Sequence, residues 1–169
     1  MKRTIKITNK ALQYLYVLVW SIKAKDIDSV RKVNRIYKSI EPLVIEFEQE
    51  GKKLFDEWKK VAWMYKFAKE QHENTLKGDG YKTSEEQETA EAKLSQGEKD
   101  VDEFNKQLQE LDKKIIEVDF EAEAFAFLTI QIQVVLANYV DKEGNDGING
   151  RQDLLLIEEI FDAFESFAK

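Results

Sequence analysis

Between Val30 and Ala68 the apolar residues Val30, Val33, Tyr37, Ile40, Val44, Phe47, Gly51, Leu54, Trp58, Val61, Tyr65 and Ala68 are spaced alternately three and four apart without a slip. A side chain every 3.5 residues stays on one stripe of an α-helix, so such a run specifies a long helix packed lengthwise against another helix. Few folds accept it. Pro42 interrupts the stretch, yet the phase is the same on both sides and Pro42 falls on the outer face. The expectation is a kink, or less readily a short break, with the helix direction continued.

The partner helix is close by. Lys77-Gly78-Asp79-Gly80 is the strongest turn signal in the chain, and Thr83 or Ser84 with Glu86 or Gln87 forms a capping box just after it. A second seam follows through Ala90, Leu94, Gly97, Val101, Phe104, Leu108, Leu111 and Ile115. Two seams joined by a tight tip make an antiparallel hairpin, each arm about 45 Å long for some thirty residues at 1.5 Å per residue. Counting back from the tip sets Gly97 against Ala62 and Trp63, and Gly51 against Leu108.

The flanks are shorter elements. Arg3 to Ile7 and Ile116 to Phe120 alternate polar and apolar, as two strands that can pair. Thr8 or Asn9 caps a helix over 9–23, nearly apolar all round, and Asp26 or Asp28 opens the long helix. Residues 122–140 carry conflicting signals: Ala, Glu, Leu and Gln favour helix, whereas Thr129 to Val135 is β-branched and alternating; we assign helix. A polar loop, Asp141 to Gly150, precedes an amphipathic helix from Gln152 to Ala168. The fold expected is therefore mainly α, a single domain over 1–169. In it a projecting coiled-coil-like hairpin, 28–116 with its tip at 77–82, stands on a small helical base, 1–27 and 117–169, with a two-stranded ribbon.

Composition narrows the chemistry. With no cysteine and one histidine, His72, the chain lacks thiolate nucleophiles, disulfides and Cys-based zinc sites. His72 has Lys69 where a Glu-x-x-His pair would need a carboxylate. The stretch from Asp141 resembles a calcium loop until the register is checked: position 6 is Asp146 where glycine is required, and position 12 is Gln152 where a bidentate Glu is required. No phosphate loop, nucleophile elbow or dinucleotide fingerprint occurs. The expectation is a non-enzyme with no catalytic, metal or cofactor residues and no cofactor.

Charge is uneven. The net charge of -7 argues against general nucleic-acid binding. Residues 1–40 hold ten Lys or Arg against Asp26 and Asp28, while 117–169 hold twelve acids against three bases. Mutual neutralisation is the plain expectation; a bipolar surface with two partners is the sharper one. Trp58, Trp63, Tyr65 and Phe67 with Lys59, Lys60, Lys66 and Lys69 form a basic-aromatic cluster. At helical spacing its aromatics read as core first, and as a stacking platform or protein hot spot second. The apolar run Ala11 to Ile22 is too short to span a bilayer. It lacks the marks of a cleaved signal, so a soluble protein without membrane contact is expected.

Three stretches resemble a family of small uncharacterised helical proteins of tailed bacteriophages. They are Lys6-Ile-Thr-Asn-Lys-Ala-Leu-Gln-Tyr-Leu15, then Glu103-Phe-Asn-Lys-Gln-Leu-Gln-Glu-Leu111 running into Ile116-Glu-Val-Asp-Phe120, and Gly147-Ile-Asn-Gly150 followed by Asp153-Leu-Leu-Leu-Ile157. The chain departs from the family in its longer hairpin, 50–100, and its apolar 122–140 segment. The resemblance brings no catalytic residues. It implies a protein-binding accessory protein of virion structure or assembly, located in the infected host cytoplasm or the virion, whose partner is a phage structural protein. The alternative is an inhibitor that binds a host defence protein, its acidic surface imitating nucleic acid. Pairing of seam residues between copies leaves a homo-oligomer open.

Overall fold

The structure is a computed structural model and describes residues 2–141 and 151–165. The chain is mainly helical, with five helices and one two-stranded antiparallel ribbon among the described residues, in the order β1 (Lys2–Thr8), α1 (Asn9–Trp20), α2 (Ile27–Lys77), α3 (Ser84–Lys113), β2 (Ile115–Glu121), α4 (Ala122–Asp141) and α5 (Arg151–Glu165). It divides into two compact units, residues 1–47 with 112–169, and residues 48–111. The hairpin read from sequence began at 28. In the structure Ile36, Ile40 and Val44 of α2 belong to the core of the first unit, so α2 serves both. Val30, expected in the seam, is exposed.

In the first unit β1 and β2 pair with Ile5 opposite Val118 and Ile7 opposite Ile116. Ile5, Ile7, Val118 and Phe120 face inward and are buried, whereas the outward charges are basic on β1 and acidic on β2. Lys6 meets Glu117 at 2.9 Å, Lys2 meets Asp119 at 3.4 Å, and Arg35 of α2 meets Glu121 at 2.8 Å. The basic start and the acids of β2 thus neutralise one another, as expected. These exposed pairs fix register more than they stabilise, because water screens them. A one-residue slip would carry the whole inner row to the outer face. Thr4 Oγ1 donates to Asp119 at 2.6 Å; this bond first, and Lys2 second, holds the Asp119 carboxyl below its usual range.

Thr8 closes β1 and opens α1. Its Oγ1 accepts the Ala11 amide at 3.2 Å, the N-cap bond expected of Thr in extended backbone. Both its own N–H, at 2.6 Å, and its hydroxyl, at 3.1 Å, are within hydrogen-bond reach of the Glu159 carboxylate of α5, which anchors α5 to this corner. Helix α1 stops at Trp20, three residues before the expected end, and buries Leu12, Leu15, Leu18 and Val19. Each such side chain contributes about 1.5–3 kcal/mol of transfer free energy. Asp26 Oδ1 accepts the Ser29 amide at 2.7 Å at the start of α2, the first cause of a lowered Asp26 pKa. Lys32 one turn on bonds Asp28 at 2.6 Å, which raises the Lys32 pKa.

Helix α2 runs through Pro42 without a break. Pro42 is exposed, on the face away from buried Ile40 and Val44, so the Lys38 carbonyl that its missing N–H would have met lies on the water side. Residues 122–141 are helical, and the Thr129 hydroxyl donates back to the Phe125 carbonyl at 3.0 Å. That bond satisfies the Thr129 hydroxyl within its own helix. Phe125 joins Phe120, at a centroid distance of 5.9 Å, to Phe164 of α5, at 5.2 Å edge-on. The calcium-like loop after Asp141 lies outside the described residues, as do residues 166–168 of the expected last helix.

Candidate partner-binding surface

In the unit formed by residues 48–111, the half-buried positions of α2 include the seam: Gly51, Leu54, Trp58, Val61, Tyr65, Ala68 and His72. Those of α3 include Ala90, Leu94, Gly97, Val101, Phe104 and Leu108. The register differs from the count made from the turn. A β-carbon at Gly97 would stand 3.1 Å from Tyr65 Cδ2, and one at Gly51 would stand 3.8 Å from Leu111 Cδ2. Gly97 therefore faces Tyr65, not Ala62 and Trp63, and Gly51 faces Leu111, not Leu108. Both pairs are centred on Tyr81. The turn does not end at Gly80, where φ is 74°, but continues until Thr83 caps α3. The added residues shift the pairing by about one helical turn.

The tip is closed by reciprocal caps. Thr83 Oγ1 accepts the Glu86 amide at 3.2 Å, and Glu86 reaches back to the Lys82 amide at 3.1 Å, one residue before the partner a standard capping box uses. At the other helix end Gly78 and Gly80 donate to the Asn74 and Thr75 carbonyls. Between the two helices an open groove of about 580 Å³ is lined by His72, Tyr81, Glu86 and Lys93 among others. His72 Nδ1 and Tyr81 Oη stand 2.8 Å apart, so the one histidine bonds within the tip. Among the described residues no cluster of His, Asp and Glu can hold a metal ion.

The basic-aromatic cluster splits in two. Trp58 and Tyr65 lie in the seam, and the Trp58 indole N–H is buried with no acceptor among the described residues. Trp63 and Phe67 point the opposite way. Trp63 is 65% exposed and Phe67 48%, and their rings stack at 5.6 Å with planes 8° apart. Phe55, also exposed, stacks on Trp58 at 5.4 Å, and the Lys59 ammonium lies 4.5 Å from the Phe55 centroid. Phe55, Lys59, Trp63 and Phe67 are four apart and form one ridge along α2. The signal was present in the spacing: at 100° per residue Trp63 lies opposite Leu54 and His72, and so faces away from the seam.

The first unit carries a second aromatic group that the sequence reading did not single out. Trp20, 68% exposed, contacts Tyr37 at 5.4 Å, and Tyr16 meets Tyr37 at 5.5 Å. Burial, and after it Tyr16 and Glu41, push the Tyr37 hydroxyl up to about 12. No described helix is long and apolar enough to cross a membrane.

Compared with known proteins, the chain matches no family model, no curated protein and no solved structure.

Proposed function

We propose that this is a non-catalytic, phage-encoded accessory protein that acts by binding another protein, in virion structure or assembly. The observation that carries the binding role is the stacked Trp63–Phe67 pair, exposed on a face of α2 that the helix pairing leaves open. Large aromatics supply most of the energy at protein interfaces, and an exposed pair has apolar area still to bury. The phage setting rests on the three resembling stretches. The nucleic-acid-mimic alternative loses support at β2, where Glu117, Asp119 and Glu121 are engaged by Lys6, Lys2 and Arg35.

The test is affinity capture of tagged protein from infected cells with mass spectrometry of what it retains. Capsid, portal or tail proteins are the expected catch. A host nuclease or defence factor would move the protein to the inhibitor reading, and retention of nothing above background would sink the binding role.

A further inference from the structure

We propose that the ridge Phe55–Lys59–Trp63–Phe67 is the docking site, and that its occupant is an amphipathic helix of the partner protein whose apolar stripe is flanked by Asp and Glu. The inference rests on the protein-binding reading above and adds the place and the chemistry of the partner. The ridge spans about 18 Å at 1.5 Å per residue, the length of some three helical turns. Its apolar material is concentrated: Trp63, Met64 and Phe67 are 65%, 63% and 48% exposed. An amphipathic helix laid along it would cover these anchors at the four-residue spacing that helix packing uses.

The charges select the partner's sign. Residues 52–69 carry six lysines against Asp56 and Glu57, a basic island in a chain of net charge -7. Among the described residues Lys52, Lys59 and Lys60 form no ion pair, and Lys66 reaches Glu70 only at 3.9 Å. Unpaired lysines beside an apolar stripe are complementary to carboxylates, which set register and partner choice more than affinity.

A second copy of the chain fits less well. No large exposed hydrophobic residue lies on α3, so that acidic helix offers no apolar stripe to the ridge. Two ridges face to face would set lysines against lysines. Single-stranded nucleic acid fits less well too. Trp63 and Phe67 spend ring faces on each other, and Phe55 stacks on Trp58. Residues 48–111 contain no arginine, and α3 carries ten acids against four lysines. A polyanion longer than the ridge would meet that acidic helix; a short acidic helix would not.

The experiment uses the full chain and three fluorescent probes: a synthetic amphipathic peptide with a leucine stripe flanked by glutamates, the same peptide flanked by lysines, and an oligothymidylate of about twelve nucleotides. The Glu-flanked peptide is expected to bind tightest, and to weaken when salt is raised from about 0.05 M to about 0.5 M. The double variant Trp63→Ser, Phe67→Ser should weaken it roughly tenfold or more. Lys59→Glu with Lys60→Glu should reverse the preference between the two peptides. All four positions are exposed, and a thermal melt checks that the variants fold. Equal binding of the two peptides, or binding indifferent to both double variants, would overturn the proposal. Tighter binding of the oligothymidylate would reassign the ridge to single strands. A dimer in sedimentation that the Trp63, Phe67 variant abolishes would reassign it to a second copy. If that variant captures the same protein from infected cells as the wild type, the ridge is refuted while the binding role stands.

Discussion

Tyr65 and Gly97 face each other so closely that a β-carbon at position 97 would stand 3.1 Å from the tyrosine Cδ2 and 3.4 Å from its Cβ. The glycine is the space in which the ring sits. Gly97→Leu should therefore destabilise the helix pair by about 1–3 kcal/mol, the usual cost of overpacking. Adding Tyr65→Ala should recover part of that loss, a coupling that a double-mutant cycle in urea denaturation reads directly. Additive effects would show that the two residues do not touch.

Gly51 sits in the same seam with room to spare, since its added β-carbon would meet Leu111 Cδ2 at an ordinary 3.8 Å. Glycine inside a helix costs roughly 0.5–1 kcal/mol relative to alanine, so Gly51→Ala should stabilise by about that amount. A lower urea midpoint for this variant would contradict the register.

Trp58 and Trp63 are five residues apart on one helix and face in opposite directions. Trp63→Ala should leave stability within about 0.5 kcal/mol of wild type, whereas Trp58→Ala should cost about 3 kcal/mol. Trp58→Phe should be much milder, because it also removes the buried indole N–H, which has no acceptor among the described residues. Similar losses for the two alanine variants would mean that the faces are misassigned.

Glu159 holds Thr8 by both the backbone amide and the hydroxyl. Glu159→Ala leaves a part-buried amide without its acceptor and should cost about 1–3 kcal/mol. Hydrogen exchange at Thr8 and along α5 would reveal the loss; unchanged protection there would remove this anchor from the account of the corner.

Asp119 has a lowered pKa because Thr4 and then Lys2 favour its charged form. For a carboxyl depressed in the folded state, the contribution is complete above the ordinary value of 3.8 and is lost as pH falls through the lower folded value. Thr4→Val should move the Asp119 pKa, followed by NMR, upward toward 3.8. No movement would show that the 2.6 Å hydroxyl bond is not what holds it.

What was legible in the sequence was everything set by local period and local hydrogen bonding. The two seams, the alternation of both strands and one of each pair of cap candidates, Thr8, Asp26 and Thr83, follow from side chains within a few residues of one another, and in 122–140, where Thr129 to Val135 argues for strand, the Ala, Glu, Leu and Gln content carries the helix. Pro42 was legible for the same reason, since its phase placed it outside. Three matters were settled only in three dimensions. The pairing of Gly97 with Tyr65 depends on how many residues the turn consumes, and the tip runs on to Thr83. The membership of Ile36, Ile40 and Val44 depends on which elements gather round the first part of α2, and a heptad looks the same whether its seam meets one helix or a whole core. The division of the aromatic cluster follows the seam spacing, which sets Trp63 opposite Leu54, but which stripe of α2 is covered is decided by where α3 lies. Composition holds two tryptophans and two smaller rings among lysines, and the position of a partner helix decides that Trp58 is covered and Trp63 is left to water.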